Sequence, residues 1–394
     1  MFTLYTRQQV DYFVSLLAIY FNGILKNLSV EKHLKNAIIL STRLIILRSD
    51  MMKKLKKIFL VMLIILAMTV GLVFALRVYN DYHYGDDLPA SDYYKNVTDI
   101  SLYPKDIKGV DVKYVDEGTL QGFHLIPKKK IYQGVIICYG GSEGSPNFDE
   151  AQRLAKEGYE TLAVFMFGMK NQPKTLMKIP LEQFEDVLKY VNSTIKQKEP
   201  ITVLGASKGA EYALNLATKY DEISNVILIA PSAYTFAGLD FNDYGSSWTW
   251  KNEEIPFIDI RKSSFSVLAK NILLPQLIKA PIQYKAVYDS AVKQDVDNSK
   301  KLIPVQDVKA NILMIVGEDD QMWGSYEMAK IIKQENKNAI LCVYKNAGHV
   351  FRGEGVLNTA MARIRTGGTL DANQKAALER EKEINNFLKQ QHSK

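Results

Sequence analysis

The sequence predicts an α/β fold, with a mostly parallel central sheet and helices on both of its faces. After Gly134, short apolar or β-branched runs recur, and segments with helical periodicity lie between most of them. This alternation is typical of parallel sheets, because each pair of parallel strands needs a long crossover connection. The 394 residues of the chain suffice for one such domain and a further segment before it.

Each predicted element follows from a local pattern. Before Gly134, three runs of alternating polarity predict antiparallel strands at residues 97–102, 110–115 and 122–126. Six apolar runs then predict the strands of the parallel sheet, at residues 134–139, 161–165, 201–204, 226–230, 312–316 and 340–344. Helical periodicity predicts helices at residues 148–157, 181–195 and 326–334.

The alternation of strands and helices stops between Pro231 and Pro304. An interval of this length between two core strands is usually a lid or cap over a site. Its aromatic and aliphatic residues, including Trp248 and Trp250, argue against a disordered insertion. We therefore predict a cap insertion at about residues 232–304 that shapes a substrate pocket.

A membrane segment is predicted near the N-terminus. Residues 58–76 form an uncharged run of 19 residues, which as a helix spans about 28 Å, close to the hydrocarbon thickness of a bilayer. Because lysines such as Lys53 and Lys54 precede the run, we predict a single-pass signal anchor with a cytoplasmic N-terminus and the larger C-terminal part outside the cytoplasm. Cleavage after Ala75 would instead give a secreted protein.

The positive charge of the chain lies before the membrane segment. Residues 1–57 contain ten Lys/Arg and three Asp/Glu, whereas residues 58–394 contain 40 of each. The neutral remainder gives no indication of a nucleic-acid partner. Met51 or Met52, followed by lysines, resembles the start of a secreted or anchored protein, so the residues before it are predicted to be an untranslated leader. The predicted organisation is a leader at residues 1–57, the anchor at 58–76, a linker at 77–96 and the α/β domain at 97–394.

The sequence Gly205-Ala206-Ser207-Lys208-Gly209 is the most informative motif. It lies between an apolar run and a helix-like segment. In this setting G-x-S-x-G makes a sharp strand-to-helix turn that only small flanking residues tolerate, and the turn exposes the serine hydroxyl. Ser207 is therefore predicted to be a nucleophile. The alternative is a glycine-rich turn that packs a helix on a strand.

A serine nucleophile needs a histidine base and a carboxylate that orients the histidine. Of the five histidines, His349 alone follows the end of a predicted core strand. Three carboxylates in a row end the preceding strand of the sheet; we predict Asp320 as the acid and keep Asp319 as the alternative. The resulting order of serine, acid and histidine is that of α/β-hydrolases.

An oxyanion hole is also expected, because negative charge that develops on the attacked carbonyl needs preorganised N–H donors. The backbone N–H of Lys208 is the first predicted donor. The second should come from the glycine-rich loop after the first parallel strand, at Ser142 or Gly141. No metal or cofactor is expected, since His349 has no neighbouring ligand at metal-binding spacing. Cys138 and Cys342 lie in apolar runs and are predicted to be buried fillers.

Several segments resemble the C-terminal catalytic domain of the acyl-CoA thioester hydrolase and bile acid-CoA:amino acid N-acyltransferase family. The resemblance runs from about Gly134 to the C-terminal helix, and its most specific parts are Ser-Lys-Gly-x-Glu and Asp-Asp-x-x-Trp. It implies an α/β-hydrolase fold with Ser207, Asp320 and His349 in the triad positions. The segments are 140–144, 179–185, 205–211, 317–323, 347–349 and 367–369.

The chain departs from this family in three respects. The residues between Arg77 and Gly134 are too few for the family's amino-terminal β-sandwich. Serine stands where the acyltransferase members carry cysteine, which favours transfer of the acyl group to water. The residues after His349 lack the family's proline-rich turn. An extracytoplasmic domain would also not meet coenzyme A thioesters, so another ester or thioester is an open alternative.

We therefore expect a membrane-anchored serine hydrolase that cleaves a small-molecule carboxylic ester or thioester through an acyl-serine intermediate. Its partners would be that acyl substrate and a lipid bilayer. Two alternatives remain: a serine peptidase of the same fold, and a hydrolase-like binding module without catalysis.

Overall fold

The computed structural model describes residues 12, 15–17, 19, 20, 30–85, 91–240, 243–359 and 361–393. Parts of the predicted leader, linker and cap therefore lie outside the described residues. The chain divides into two compact units, Met1–Ala75 and Leu76–Lys394. Helix α1 (Val30–His83) contains the predicted anchor; among the described residues it is the one helix long and apolar enough to cross a membrane, a test that a signal sequence also passes.

Short strands recur throughout the second unit. In chain order the described strands are β1 (Asp106–Ile107), β2 (Val110–Glu117), β3 (Leu120–Pro127), β4 (Val135–Tyr139), β5 (Thr161–Val164), β6 (Ile179–Pro180), β7 (Ile201–Ala206), β8 (Ile223–Ile229), β9 (Trp248–Trp250), β10 (Glu253–Glu254), β11 (Asn311–Gly317), β12 (Ile340–Tyr344), β13 (Val356–Asn358) and β14 (Arg363–Arg365). The six predicted parallel strands are confirmed within a few residues as β4, β5, β7, β8, β11 and β12.

The helices that follow α1 in the described chain are α2 (Phe148–Lys156), α3 (Gln183–Thr194), α4 (Lys208–Ala217), α5 (Phe265–Leu268), α6 (Leu274–Leu277), α7 (Tyr284–Gln294), α8 (Ser325–Glu335) and α9 (Leu370–His392). The three predicted helices are confirmed as α2, α3 and α8. Thr369 immediately precedes α9, and its side chain accepts a hydrogen bond from the backbone N–H of Ala372 and so caps the helix.

The main sheet has nine strands in the order β1-β2-β3-β5-β4-β7-β8-β11-β12. The pairs β1–β2, β2–β3 and β3–β5 are antiparallel, and each of the remaining pairs, from β5–β4 to β11–β12, is parallel. The carboxyl ends of the parallel strands therefore meet at one edge. Residues that follow β7, β11 and β12 are brought to that edge together, which is where ligands bind in open α/β sheets.

Apolar side chains fill both faces of the sheet. On one face, buried residues of α3, α4 and α8 pack against the strands and form the larger core. On the other face, α2 and α9 cover the strands. Central strands such as β4 and β7 are buried along almost their whole length, as expected for parallel strands with helices on both sides.

The predicted cap lies between β8 and β11. It contains β9 and β10, which form a three-stranded sheet with β6 from outside the cap, and the helices α5, α6 and α7. A π-helical turn, Ala269–Leu273, joins α5 to α6. Trp248 on β9 is fully buried, so this part of the insertion is packed on the main domain.

One strand prediction is wrong. Residues 97–102 contain the 3₁₀ helix Ile100–Leu102 instead of a strand. The carboxylate of Asp99 accepts a hydrogen bond from the backbone N–H of Ser101 at 3.0 Å, and this local bond favours a turn over an extended chain. Residues 77–96, predicted as a linker, include the end of α1 and the 3₁₀ helix Asp92–Lys95, and residues 86–90 of it lie outside the described residues.

Candidate active site

Ser207 occupies the sharp turn between β7 and α4. Its backbone has φ 55° and ψ −118°, a conformation that costs a non-glycine residue about 1–3 kcal/mol and is typical of functional sites. Its backbone N–H donates to Ile229 O at 2.8 Å, and its carbonyl accepts from the first turn of α4. The side chain makes no capping hydrogen bond, and the residue stays partly exposed.

The two glycines of the motif allow the backbone to make this turn. A Cβ atom on Gly209 would lie 2.0 Å from the carbonyl oxygen of Gly140, and one on Gly205 would lie 2.0 Å from that of Gly209. Each contact is with backbone, which cannot move aside as a flexible side chain would. Helix α4 thus approaches the ends of β4 and β7 more closely than any side chain permits.

Asp320 and His349 meet at the same edge of the sheet. Nδ1 of His349 lies 2.7 Å from Oδ2 of Asp320, and both side chains are buried. Because a carboxylate only accepts, the hydrogen bond puts the imidazole proton on Nδ1. Nε2 is then an acceptor. It is buried and has no hydrogen-bond partner among the described residues.

The carboxylate of Asp320 is held from several sides. Its Oδ1 accepts from the backbone N–H groups of Met322 and Trp323, at 2.9 and 3.2 Å, and its Oδ2 also accepts from the hydroxyl of Ser325 at 2.6 Å. The indole of Trp323 contacts the His349 ring edge-on, with the ring centroids 5.8 Å apart. These contacts leave neither Asp320 nor the imidazole much rotational freedom.

Asp319, the alternative acid, faces elsewhere. It is exposed, and its Oδ2 accepts from the backbone N–H of Gly368 at 2.9 Å. Its other oxygen accepts from the side chain of Gln321. Of the two candidate acids, the structure brings only Asp320 to His349.

Ser207 is at the same edge but is not bonded to the histidine. It follows β7, while Asp320 follows β11 and His349 follows β12, and these strands are parallel members of one sheet. The described residues contain no hydrogen bond between Ser207 and His349 Nε2. Catalytic hydrogen bonds are often long in ligand-free structures and tighten on substrate binding, so the catalytic role of these three residues stays a prediction.

Of the predicted oxyanion donors, Gly141 is adjacent to Ser207, because a Cβ atom on Gly141 would lie 3.4 Å from the Ser207 Cβ. Its backbone N–H is not available, since it donates to the carboxylate of Glu143 at 3.1 Å. Ser142 is exposed, and Lys208 is the first residue of α4. Glu143 also accepts from the hydroxyl of Ser145 at 2.5 Å. Glu143 was not predicted to contribute to this loop, although an acidic side chain beside glycine N–H groups is a pattern that the sequence shows.

A buried ion pair lies directly behind Ser207. Nζ of Lys208 donates to Glu211 Oε2 and to Ser247 Oγ, both at 2.8 Å. The other oxygen of Glu211 accepts from the indole N–H of Trp248 at 2.8 Å and from the backbone N–H of Phe236 at 3.0 Å. Because Phe236, Ser247 and Trp248 belong to the cap, this network joins the turn at Ser207 to the cap.

Burial opposes both charges of this pair. Desolvation lowers the pKa of Lys208 and raises the pKa of Glu211, and their mutual attraction and hydrogen bond act in the opposite direction. The sequence analysis did not predict this pair. The spacing of three residues on a helix was a signal for it, but nothing in the sequence indicated its partners in the cap.

Neither cysteine lies in the candidate site. Burial raises the pKa of the buried Cys138 thiol well above its ordinary value and that of Cys342 to about 11, which makes both poor nucleophiles. In the part of the chain that the structure describes, no group of three His, Cys, Asp or Glu side chains is placed to hold a metal ion. A cap cleft of about 260 Å³, lined by Tyr244, Phe257 and Lys301 among others, includes none of the three predicted catalytic residues.

Removal of Lys208 should destabilise the protein through Glu211. We expect Lys208→Met to lower the free energy of unfolding by about 3 kcal/mol or more, because a buried carboxylate loses its cation. The double variant Lys208→Met/Glu211→Leu should lose less than the sum of the two single variants. Denaturant unfolding in detergent measures these values. Lys375→Met, which removes an exposed pair with Glu379, is the control and should cost less than about 1 kcal/mol; strictly additive losses at Lys208 and Glu211 would contradict the coupling.

Two related proteins match part of the chain. Human acyl-coenzyme A thioesterase 1 is 25% identical over 250 residues, which cover 61% of this chain and 54% of that protein. Rat acyl-coenzyme A amino acid N-acyltransferase 2 is 27% identical over 251 residues, with the same two shares of 61% and 54%. The chain thus spans about half the length of these relatives. Among solved structures, an esterase of Pyrococcus furiosus has 16% identity and a TM-score of 0.47, over 73% of this chain and 94% of its own.

A family model also matches the chain. The family described as "BAAT / Acyl-CoA thioester hydrolase C terminal" matches residues 179–394, which is more than half of the sequence. The match includes Ser207, Asp320 and His349 and contains five of the six segments that carried the resemblance; residues 140–144 lie before it. The chain therefore belongs to the BAAT / acyl-CoA thioester hydrolase C-terminal family.

Proposed function

We propose that the chain is a serine hydrolase that cleaves a carboxylic ester or thioester through an acyl-serine intermediate. The hydrogen bond between Asp320 and His349 carries the proposal, because it leaves Nε2 of a neutral imidazole able to accept a proton. No described residue forms a hydrogen bond with this nitrogen. The strained turn at Ser207, at the same edge of the sheet, supports it. Membership of the family and the similarity to acyl-coenzyme A thioesterases support the choice of bond.

The first half of the reaction forms the acyl-enzyme. Ser207 Oγ attacks the carbonyl carbon of the substrate while its proton passes to Nε2 of His349. The carboxylate of Asp320 stabilises the imidazolium that results. When the tetrahedral intermediate collapses, the imidazolium gives its proton to the departing alcohol oxygen or thiol sulfur, and the acyl group stays on Ser207.

The second half releases the acid. A water molecule gives a proton to Nε2 of His349 and attacks the acyl carbon, and the returned proton restores the Ser207 hydroxyl. Serine at the nucleophile position supports transfer to water, because the resemblance associates cysteine there with transfer to amino acids. The product is then a free carboxylic acid.

The negative charge on the carbonyl oxygen would be stabilised by backbone N–H groups. Lys208, at the N-terminus of α4, supplies one donor together with the favourable end of the helix dipole. Gly141 can supply the second only if the carboxylate of Glu143 leaves its N–H group. Ser142 is the alternative donor in the same loop.

The proposed enzyme is attached to a membrane. Residues 58–76 would be the single-pass anchor, with the basic residues up to Lys57 on the cytoplasmic side and the hydrolase domain, about residues 97–394, outside the cytoplasm. The helix that contains this run, by its length and composition, supports the proposal. Cleavage after Ala75 remains the alternative that would release the domain.

The class of substrate is tested by comparing hydrolysis rates on esters, acyl-CoAs and amides that carry the same acyl group. Faster hydrolysis of p-nitrophenyl esters or acyl-CoAs than of fluorogenic amides of equal acyl length supports an esterase or thioesterase. Faster hydrolysis of the amides would support a serine peptidase. The length of the acyl chain that gives the highest kcat/KM defines the acyl pocket.

A fluorophosphonate probe should label Ser207. The wild-type protein is expected to react, because the probe requires a serine activated by a base, and Ser207→Ala is expected not to react. Gel fluorescence of purified protein measures the labelling. On intact cells, a probe that cannot cross membranes should label the protein as fully as a permeant one if the domain is extracytoplasmic.

The control for this labelling is Ser193→Ala, which removes an exposed serine at the end of α3 and should label like the wild type. Absence of labelling in both the wild type and Ser207→Ala would support a binding module without catalysis. Labelling by only the permeant probe would contradict the proposed orientation in the membrane.

Replacement of the two neighbouring aspartates should separate their roles. Asp320→Asn should lower kcat roughly 10⁴-fold, because an amide at this position favours the wrong imidazole tautomer. Asp319→Asn, which can keep only one of the two hydrogen bonds that this exposed carboxylate accepts from Gly368 and Gln321, should change kcat less than about tenfold. Steady-state kinetics on the best ester measures both. Similar losses in both variants, or a larger loss for Asp319→Asn, would contradict the assignment.

A further inference from the structure

The cap carries an exposed apolar segment, residues 265–277. Four of its large apolar residues have about half or more of their surface exposed to solvent: Phe265 is 75% exposed, Leu273 49%, Leu274 55% and Leu277 54%. These residues belong to α5, the π-helical turn and α6. An apolar helical stretch with this exposure marks a binding surface more often than an ordinary protein surface.

Basic residues lie in and around this segment, and most of them form ion pairs. Between Asp259 and Asp289 the sequence has five Lys/Arg and no Asp/Glu. Four of them pair with carboxylates at or beyond these limits: Arg261 with Asp259, Lys262 with Asp295, Lys279 with Asp81 and Lys285 with Asp289. Lys270, within the segment, is exposed and has no ion pair among the described residues. An apolar face with a basic border is the pattern of helices that lie in the interface of an anionic membrane.

The end of α1 contacts the end of the apolar segment. The side chain of Asn80 donates to the carbonyl of Ile278 at 2.8 Å, and the carboxylate of Asp81 accepts from Lys279 at 2.6 Å and from Arg363 at 2.8 Å. All of these residues belong to the unit Leu76–Lys394. Leu76, the last residue of the uncharged run, is one helical turn, or about 6 Å, before Asn80.

Aromatic side chains and a hairpin lie beside the same contact. Tyr79 and Tyr82 on α1 are exposed, and tyrosine is enriched where a membrane helix leaves the hydrocarbon. The side chain of Asn358 in β13 donates to the carbonyl of Tyr84 at 2.9 Å. The turn between β13 and β14 exposes Met361. Apolar, aromatic and basic side chains are thus collected near the residue at which the anchor would leave the bilayer.

We propose that residues 265–277 bind the interface of an anionic lipid bilayer, as a second membrane contact beside the anchor. Phe265, Leu274 and their apolar neighbours enter the boundary between headgroups and acyl chains, and Lys270 binds a lipid phosphate. The inference rests on the membrane attachment in the proposed function, but not on its hydrolase chemistry. The contacts of Asn80 and Asp81 bring the segment close to the end of α1, one helical turn after Leu76, which favours a bilayer over a protein partner.

Fluorophores at single positions of the full chain test this contact. Cysteines replace Phe265 or Leu274 in a Cys342→Ser background, where the remaining Cys138 is fully buried, and carry an environment-sensitive label. The protein is reconstituted in vesicles of phosphatidylcholine and phosphatidylglycerol with or without nitroxide-labelled lipid. Leu66→Cys reports the anchor, and Leu378→Cys, an exposed apolar position on α9, is the matched control.

We expect blue-shifted emission and quenching by the nitroxide lipid at positions 265 and 274, quenching at 66, and neither effect at 378. Lys270→Glu should reduce the quenching at 274 in these vesicles and leave it unchanged in phosphatidylcholine alone. Quenching at 66 without quenching at 265 and 274 would overturn the inference but leave the anchor intact. Absence of quenching at all positions would overturn both. A blue shift at 265 without lipid quenching would also overturn it, because a protein partner or second copy then covers the segment.

Discussion

The close approach of two backbone segments at Gly209 and Gly140 is the constraint on which the site depends. A single Cβ atom on Gly209 would come within 2.0 Å of a carbonyl oxygen, so α4 can begin immediately after β7 only with glycine there. The turn in between is a single residue, and Ser207 takes the strained backbone that results. Strain of this size persists only where the surrounding structure overdetermines it. Here the buried strands β4 and β8, which lie on either side of β7, hold the turn in place.

The buried pair of Lys208 and Glu211 extends this constraint to the cap. A buried ion pair is weak evidence for stability, because desolvation offsets much of its attraction. Its geometric effect is clearer. One hydrogen bond joins Lys208 to Glu211, and three more join the pair to Phe236, Ser247 and Trp248 in the cap. A shift of the cap would therefore take three hydrogen bonds from this buried pair. The position of the turn at Ser207 and the packing of the cap are coupled in this way.

Patterns that depend on short distances along the chain were predictable. The strands of the parallel sheet, the turn at Ser207 and the position of His349 after β12 all follow from periodicity and local motifs. The pairing of β6 with β9 did not follow, because each strand is only two or three residues long and their contact joins distant parts of the chain. The strand predicted at residues 97–102 failed because the carboxylate of Asp99 satisfies a local backbone donor. Sequence alone could also not separate Asp319 from Asp320, since adjacent residues differ only in the direction that the loop gives them.

The occupied N–H group of Gly141 was likewise invisible in the sequence, because it depends on how the Glu143 side chain folds back on its own loop. The central claim of the account is that Ser207, His349 and Asp320 act as one unit. A crystal structure of the protein after reaction with a phosphonate inhibitor tests that claim most directly. The account predicts the phosphorus atom on Ser207 Oγ, with His349 Nε2 within hydrogen-bond distance of a phosphonate or serine oxygen and Nδ1 still bound to Asp320. Phosphonate on another residue, or an imidazole remote from Ser207 in that adduct, would contradict it.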